Sequence, residues 1–472
     1  MHDNKENYRL WWIAGGLVIA LGLVFSINQS IDGKLQDTPE TVSEQAGDAS
    51  DATASVNNDV TASDNNEPVV AETSAPARAP KGNELVAVSE PATQTSATVQ
   101  QYINGLAAQG FSSARQGVWI QSEDTLLANH QGTVPLSAAS LTKVATTLAS
   151  LEVLGVDYRF STLIGTNGTL SDGQLNGDLI VQGSGDPFFV WEEAIALGNV
   201  LNELGIRTVT GDLVIVDDFY MNFQRNALTS GDLLKEGLNS ALWGGEAQAQ
   251  FGTLPAGTAR PQVSIQGSVR GGSVSDFQLL VNHQSLPLPE LLKKMNQYSN
   301  NVMAEMLADK IGGGATVAQV SAQATGMPQN EISLINGSGL GVENRISPRA
   351  VSAMFLTIDN FLHNYDMTIA DVFNIIGQDP GVLEGRALPP FAVLKSGSLS
   401  QASAIAGAIP TRDQGVVWFS IINEGNNLTG FRARQESLLG DLIYGWGAAS
   451  GLPTSLKINP ERASITTLNE VP

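Results

Sequence analysis

The stretch "SAASLTKVATTL", residues 137–148, places Ser140 three positions before Lys143 at the start of a predicted helix. Apolar side chains then recur at helical spacing and Gly155 is a natural stop, so the pattern predicts a helix over about 140–154. A serine at this position is an ordinary helix cap. The same spacing would also put a nucleophile and a base on one helix face, because residues three apart are neighbours there. The stretch alone leaves both interpretations open.

The composition of the chain excludes several classes of protein. Its 472 residues allow two or three domains, and its net charge of −22 argues against a nucleic-acid partner, which requires a basic surface. The chain has no cysteine, which excludes disulfides, thiol catalysis and cysteine metal sites. It has only four histidines, which disfavours a histidine-rich metal site, and we expect neither a metal nor another cofactor.

The N-terminus predicts a membrane anchor. The uncharged run "LWWIAGGLVIALGLVFSI", residues 10–27, approaches the length of a bilayer-spanning helix, and Lys5 and Arg9 before it favour a cytoplasmic N-terminus. The residues that follow lack an Ala-x-Ala cleavage site. An uncleaved signal anchor with a short cytoplasmic stub over residues 1–30 is therefore favoured over a cleaved signal peptide. We expect the rest of the protein to lie outside the cytoplasm, in the periplasm, held at the inner (plasma) membrane.

Both flanks of the folded part have a biased composition. Residues 31–97 are rich in acidic and small polar residues and poor in large apolar ones, which predicts a disordered acidic linker. Residues 451–472 are predicted to be a C-terminal tail.

Between these flanks the pattern predicts two domains. Residues 158–280 contain short strand patterns separated by glycine and Asn/Asp turns, with one helical stretch from about 191 to 204. We predict that this segment is an inserted, mainly β domain. The residues on either side of it, 98–157 and 281–450, are predicted to form one domain.

The larger domain combines strands from both of its ends with helices. Residues 117–131 predict two strands around a turn at Ser122–Asp124, and residues 402–425 predict a hairpin followed by a helix. Residues 288–313 have a helical apolar period. The order of these elements predicts an α/β sandwich, in which one antiparallel sheet collects both ends of the domain and is flanked by helices.

Three short motifs follow one another along this domain: Ser140-x-x-Lys143, Ser299-Asn300-Asn301 and Lys395-Ser396-Gly397. Each is weak alone. Together, at a helix start, a helix–helix junction and a strand, they are similar to the S-x-x-K, S-x-N and K-[TS]-G set of penicillin-binding proteins and serine β-lactamases.

The resemblance extends to one family. The strings "SLTKVATTLASLEVLGVDYRFST", "GDLIVQGSGDPFF", "SNNVMAEML" and "NGSGLGVENRISP" resemble consecutive landmarks of peptidase family S13, the penicillin-binding-protein-4-type D-alanyl-D-alanine carboxypeptidases, over about 100–447. The gap of roughly 160 residues between the first two motifs is typical of that family, whose members carry an insertion there. The insertion of this chain is shorter than in larger members, so a third domain is expected to be missing or reduced. The third motif also has Ser396 in place of threonine, which keeps a hydroxyl.

The resemblance implies a penicillin-binding-protein-like sandwich and a serine-type mechanism. Ser140 would attack the penultimate D-Ala of a peptidoglycan stem peptide and form an acyl-enzyme, and β-lactams would be covalent inhibitors. A serine hydroxyl needs a base, and Lys143 can serve only when it is neutral. Burial and the charge of Lys395 would both lower the pKa of Lys143. Lys395 is expected to remain charged itself.

The same resemblance implies roles for the remaining motif residues. Ser299 would relay a proton to the leaving amine, and Asn301 would bind the substrate amide. Ser396 would hold the terminal carboxylate together with the lysine before it, and Gly397 would let the strand approach the substrate. The backbone N–H groups of the nucleophile and of Ser398 would form the oxyanion hole.

Other catalytic patterns are absent from the sequence. It contains neither G-x-S-x-G nor H-E-x-x-H, and the histidines His130, His283 and His363 stand in no recognisable catalytic context. The glycine-rich strings "QGSGDP" and "NGSGLG" are interpreted as turns. Asp186 and Asp217 or Asp218 could contact substrate, although a turn or surface role is favoured for each.

Two functions remain from different classes. The favoured one is a membrane-anchored carboxypeptidase that could also act as an endopeptidase. The alternative is a catalytically silent wall-binding or scaffold protein with the same fold. Because all three motifs keep their functional groups, the sequence favours the enzyme.

Overall fold

The computed structural model of the chain describes residues 92–122, 125–273 and 276–472. The predicted membrane anchor and nearly all of the predicted linker lie outside these ranges, as does most of the turn at Ser122–Asp124. Within the ranges no helix combines the length and the apolarity needed to cross a bilayer.

Helices and strands alternate along the described residues. The helices are α1 (Thr93–Ala107), α2 (Thr142–Leu154), α3 (Trp191–Glu203), α4 (Ala227–Gly237), α5 (Gly245–Phe251), α6 (Leu288–Gln297), α7 (Asn301–Lys310), α8 (Gly313–Thr325), α9 (Pro348–His363) and α10 (Leu428–Trp446). The strands are β1 (Gln116–Ser122), β2 (Thr125–His130), β3 (Leu136–Ser137), β4 (Ser161–Thr166), β5 (Thr169–Ser171), β6 (Gln174–Asn176), β7 (Leu179–Ser184), β8 (Thr208–Val209), β9 (Leu213–Asp218), β10 (Ser264–Ile265), β11 (Val269–Gly271), β12 (Gln278–Gln284), β13 (Ile332–Ser333), β14 (Arg345–Ile346), β15 (Asn374–Ile375), β16 (Val393–Leu399), β17 (Ala402–Pro410), β18 (Val416–Glu424) and β19 (Leu468–Glu470).

The larger domain is built on one six-stranded sheet in the order β15-β16-β17-β18-β1-β2. Every neighbouring pair is antiparallel, and β1 from the start of the domain pairs with β18 from its end, as the sequence predicts. Helices cover both faces, so all residues of β17 are buried. Alternate residues of that strand point into opposite layers, with Ala404 and Ala406 in one core and Ile405 in the other. Burial on both faces explains why β17 is a continuous apolar run.

Helix α1 belongs to the folded part. It begins at Thr93, inside the segment predicted as linker up to residue 97. Ile103 and Leu106 are buried in the core beneath the sheet, and the Tyr102 hydroxyl donates to Asn423 Oδ1 at 2.8 Å. These apolar residues lie beyond the acidic stretch, so composition alone places the boundary several residues late.

The inserted region has its own core but is not mainly β. Its six-stranded sheet has the order β11-β9-β7-β4-β12-β19, in which β7, β9 and β11 are parallel. Three helices, α3, α4 and α5, accompany these strands. The expectation of a mainly β insertion is therefore wrong. Helices α4 and α5 were missed because their few buried apolar side chains, such as Leu234 and Ala247, give a weak helical period.

The segment predicted as a C-terminal tail is attached to both domains at several points. Leu456 is buried in the core of the larger domain, and β19 adds an antiparallel strand to β12 at the edge of the inserted sheet. Asn469 Oδ1 lies 3.0 Å from Nδ1 of the buried His283. Thr467 donates to Glu193 at 2.7 Å. Because backbone and polar side chains make most of these contacts, the apolar pattern of the sequence gives no sign of them.

Candidate active site

Ser140 lies in a single 3₁₀ turn, Ala139–Leu141, and α2 begins directly after it. The helix ends at Gly155, whose φ is +81° and whose N–H bonds to the Leu151 carbonyl, as the sequence predicts. Across the described residues, neither the turn nor α2 receives a side-chain cap at its N-terminus. The hydroxyl of Ser140 therefore does not cap a helix, although the sequence alone allowed that interpretation. The preceding Ala139 has a φ of +45°, which is strained for a residue with a Cβ.

Lys143 is fully buried and binds three oxygens from three parts of the chain. Its Nζ donates to Ser140 Oγ at 3.0 Å, to Asn301 Oδ1 at 2.7 Å and to the Ser338 carbonyl at 2.8 Å. All three acceptors are uncharged. The contact with Ser140 is within reach of direct proton transfer.

The second motif occupies the junction between α6 and α7. Asn300 caps α7 by accepting from the Met303 N–H at 3.0 Å, so Asn301 becomes its first residue and faces Lys143. Ser299 has a left-handed φ of +53°, which costs energy outside glycine. The structure thus brings Asn301 to the lysine, and its expected contact with a substrate amide stays a prediction.

Lys395 comes from β16 and is also buried. Its Nζ donates to Ser299 Oγ at 2.9 Å and to the Ser396 carbonyl at 2.8 Å. Burial, and then the charge of Lys143, hold the pKa of Lys395 well below its usual range. The charge that the sequence analysis expected Lys395 to keep is therefore opposed by its surroundings, and a bound carboxylate would restore it.

Two glycines press against the turn of Ser140. A Cβ on Gly397 would lie 2.8 Å from the Ala138 carbonyl oxygen and 2.8 Å from the Ser140 nitrogen. Gly339 has a φ of +84°, and a Cβ there would overlap the Ala139 carbonyl oxygen. The glycine of the third motif was expected to admit substrate. Its environment gives a further reason, because the missing Cβ lets β16 lie against the turn that carries Ser140.

The loop of "NGSGLG" was interpreted as a turn, yet it supplies an acceptor for Lys143. Glu305 of α7 accepts from the N–H of Gly337 at 3.0 Å and from the N–H of Ser338 at 3.1 Å. These bonds orient the Ser338 carbonyl toward the lysine. Sequence reasoning missed both residues. The only available signal was the cluster of glycines, since a backbone carbonyl leaves no trace in residue types.

The edge of β16 near the turn is open. Strand β15 pairs only with Val393 and Leu394, so no strand of the described chain covers that edge from Lys395 onward. Ser396 and Ser398 lie two residues apart on this part of β16 and are partly exposed. An extended peptide can add to such an edge through backbone hydrogen bonds.

The histidine and aspartate residues that the sequence offered as other candidates for the site have local partners. His130 Nε2 lies 2.9 Å from the Ser113 carbonyl, and Asp217 accepts from Gln182 at 2.7 Å. Asp186 Oδ1 accepts from the Phe188 N–H at 2.8 Å, which is the turn role that the sequence favours. Burial raises the pKa of Asp186 to about 7. Across the described ranges, no cluster of His, Asp and Glu side chains has an arrangement able to hold a metal ion.

Comparison with known proteins points to one family. A family model described as the D-Ala-D-Ala carboxypeptidase 3 (S13) family matches residues 99–227 and 249–440. The D-alanyl-D-alanine carboxypeptidase DacB of Haemophilus influenzae is 24% identical over 403 residues, which cover 64% of this chain and 83% of that protein. A D-alanyl-D-alanine carboxypeptidase of Actinomadura sp. (strain R39) is 24% identical over 409 residues, covering 64% of this chain and 76% of that protein.

Solved structures share the fold. Penicillin binding protein 4 from Haemophilus influenzae superposes with a TM-score of 0.56 and 20% identity, covering 74% of this chain and 99% of that one. A predatory endopeptidase from Bdellovibrio bacteriovorus has a TM-score of 0.60 and 21% identity, covering 73% of this chain and 97% of that one. These likenesses confirm the predicted fold class of a sheet-and-helix sandwich.

Proposed function

The chain belongs to the D-Ala-D-Ala carboxypeptidase 3 (S13) family of peptidases, and on that premise we propose that Ser140 is its acylated nucleophile. The protein is a serine-type D-alanyl-D-alanine carboxypeptidase that binds penicillin and acts on peptidoglycan stem peptides. The observation that carries the assignment of the nucleophile is the contact of 3.0 Å between Ser140 Oγ and the buried Lys143 Nζ. A hydroxyl bonded to a desolvated lysine has the base that acyl transfer requires.

In acylation, one proton moves from Ser140 to the leaving amine, and an ester bond to Ser140 replaces the peptide bond of the substrate. Neutral Lys143 takes the proton of Ser140 as Oγ attacks the carbonyl carbon of the penultimate D-Ala. The peptide C–N bond then breaks and the leaving D-Ala amine receives a proton. Ser299, whose Oγ accepts from Lys395 at 2.9 Å, relays to that amine the proton that Lys143 took up, which leaves Lys143 neutral and Ser299 with its hydroxyl. Water then hydrolyses the ester, and Ser140 regains its hydroxyl.

The substrate lies along the open edge of β16. Its terminal carboxylate is held by Lys395 and the Ser396 hydroxyl, and the resulting ion pair restores the lysine charge that burial opposes. The backbone N–H groups of Ser140 and Ser398 receive the developing oxyanion. Asn301 bonds to the substrate amide through its side-chain NH₂ group, because its Oδ1 already accepts from Lys143.

Labelling by a fluorescent penicillin tests this function directly. We expect the full-length chain to be labelled and mass spectrometry to place the adduct on Ser140, with no labelling of Ser140→Ala. A folded chain that is not labelled would favour the catalytically silent wall-binding alternative. An adduct on another serine would refute the assignment of the nucleophile.

The balance between carboxypeptidase and endopeptidase activity needs a second experiment. The Bdellovibrio structures are of endopeptidases, but at 21% identity they speak for the fold alone. Intact wall fragments incubated with the full-length chain would release free D-Ala from a carboxypeptidase. An endopeptidase would convert cross-linked dimers into monomers, which mass spectrometry distinguishes.

We also infer that the protein is anchored in the inner (plasma) membrane with its catalytic domain in the periplasm. The support is the apolar run at residues 10–27 and the basic residues Lys5 and Arg9 before it. Fractionation of cells that make the full-length chain tests this proposal. We expect the chain in the membrane pellet after a high-pH wash, and protease added to spheroplasts should degrade it. Release by that wash would contradict the anchor.

A further inference from the structure

Arg432 of α10 contacts β16, the strand along which the substrate is proposed to lie. Its Nη2 donates to Ser398 Oγ at 2.6 Å. Ser398 stands two residues after Ser396, and residues two apart on a strand share a face. The hydroxyl that shares a face with the proposed carboxylate-binding serine is thus bonded to a cation.

The surroundings of Arg432 do not balance its charge. Burial, and then the charge of Arg386, lower the pKa of Arg432. Arg386 Nε donates to the nearby carboxylate of Glu436 at 2.7 Å. Two guanidinium groups therefore share one carboxylate, which leaves the cluster with one net positive charge. Arg432 Nε and Arg386 Nη2 are buried and have no acceptor among the described residues. Such a cluster favours an anion nearby.

A bond from Arg432 determines what the Ser398 hydroxyl can do. One lone pair of Oγ is occupied by the guanidinium, so the O–H bond remains for another partner. Because the donor to Oγ is charged, that O–H is polarised and binds best to an anionic acceptor.

We propose that Arg432 is a positioning residue that acts through Ser398 and makes the enzyme require a free carboxylate on the leaving residue of its substrate. The proposal rests on the proposed function, since it assumes that the carboxylate lies along β16. Arg432 orients the hydroxyl as a donor to that carboxylate, and its charge adds to the attraction. A substrate whose carboxylate is amidated offers neither a charge nor a second good acceptor, so it gains nothing from Arg432.

The test compares two synthetic stem peptides that end in D-Ala-D-Ala, one as the free acid and one as the amide. We measure kcat and KM for the full-length chain and for Arg432→Gln, Arg432→Lys, Ser398→Ala and the double variant Arg432→Gln with Ser398→Ala. Arg434→Gln is the matched control, because Arg434 lies on the same helix and is exposed. Thermal unfolding of each variant reports on the fold.

We expect Arg432→Gln to lower kcat/KM for the acid about tenfold to hundredfold, mostly through KM, and to leave the amide unchanged. Arg432→Lys should restore part of the loss. The double variant should be no worse than Ser398→Ala, because the two residues act in series. Arg434→Gln should match the unsubstituted chain on both peptides.

Several outcomes would overturn the proposal. One is an equal loss on acid and amide, the result expected if Arg432 only supports the fold. Another is additive losses in the double variant. If Arg432→Gln does not fold, the test relies on Arg432→Lys and Ser398→Ala. If both variants keep the unsubstituted chain's ratio of kcat/KM for the acid to kcat/KM for the amide, the positioning role of Arg432 is refuted. An unsubstituted chain that penicillin does not label would instead refute the proposed function, independently of these ratios.

Discussion

Two regions of the active site each contribute a buried lysine, and their partners differ. Lys143, on the helix after the nucleophile turn, is held by side chains and a carbonyl from three separate segments. Lys395, on β16, is held by Ser299 and by the carbonyl of its own neighbour Ser396. The first lysine therefore contacts the proposed nucleophile and the second contacts the proposed proton relay. The same residue type performs different tasks because different oxygens surround it.

The two regions are also coupled by charge. The charge of Lys143 contributes to lowering the pKa of Lys395, and a buried site holds two cations poorly. Their protons therefore belong to the pair rather than to one residue. The free enzyme therefore favours loss of one proton from the pair, and acylation needs the state in which Lys143 is the neutral member. A bound carboxylate then compensates the charge that remains.

The largest expected difference between the two regions is in the acylation rates of the variants that carry arginine in place of Lys143 or Lys395. Arginine keeps a positive charge but cannot lose its proton at working pH. Lys143→Arg should lower the penicillin acylation rate by about 10²–10⁴, the usual contribution of a general base. Lys395→Arg should cost only about ten- to hundredfold, as expected for an imperfect charged hydrogen bond. Stopped-flow acylation rates of both variants, with folding checked by circular dichroism, would contradict these assignments if the two rates were equal.

The contact between the two regions predicts the effect of Gly397→Ala. The new Cβ would press on the Ala138 carbonyl and the Ser140 nitrogen, so β16 and the turn must separate. We expect about 1–3 kcal/mol lower stability from overpacking and at least about tenfold slower acylation. The control is Gly440→Ala on α10, where a Cβ meets nothing within 4 Å and should cost nothing. Chemical denaturation and acylation rates measure both; a harmless Gly397→Ala would show that the contact is not tight.

The coupling between the two regions predicts a pH dependence. Since only a neutral lysine accepts the proton of Ser140, acylation should accelerate as pH rises. Because the two lysine charges repel each other in a buried site, this rising limb should lie below the ordinary lysine range near ~10.4. Lys395→Gln removes one of the two charges, so the limb should move to higher pH. Rate profiles of both proteins test this shift, and an unmoved limb would show that the lysines do not interact.

Removal of residues 1–91 should have the smallest effect, because the segment supplies none of the three motifs. We expect a soluble protein of residues 92–472 with an unchanged acylation rate. The cut cannot be placed at residue 97, since that would delete the first turn of α1, which begins at Thr93. Penicillin labelling and peptide hydrolysis measure the result, and a folded but inactive fragment would show that the segment takes part in catalysis.

Much of the fold could be predicted because its signals are local. The helix that ends at Gly155, the hairpin of β17 and β18 and the strand of Lys395 each follow from apolar spacing and turn residues within one stretch. The insertion was misjudged as mainly β because its helices bury few apolar residues. The C-terminal segment was taken for a tail because β19 is held by pairing with a distant strand.

The sequence by itself determined which groups are the candidates for catalysis, since three motifs carry hydroxyls, an amide and two lysines whose chemistry is intrinsic to the residue types. Only the tertiary structure decided how these groups are paired. It brought the Ser338 carbonyl to Lys143, placed Arg432 on Ser398 and required Gly397 for the close packing of β16 against the turn. Backbone acceptors and steric contacts between distant segments depend on packing, and neither residue identity nor spacing records them.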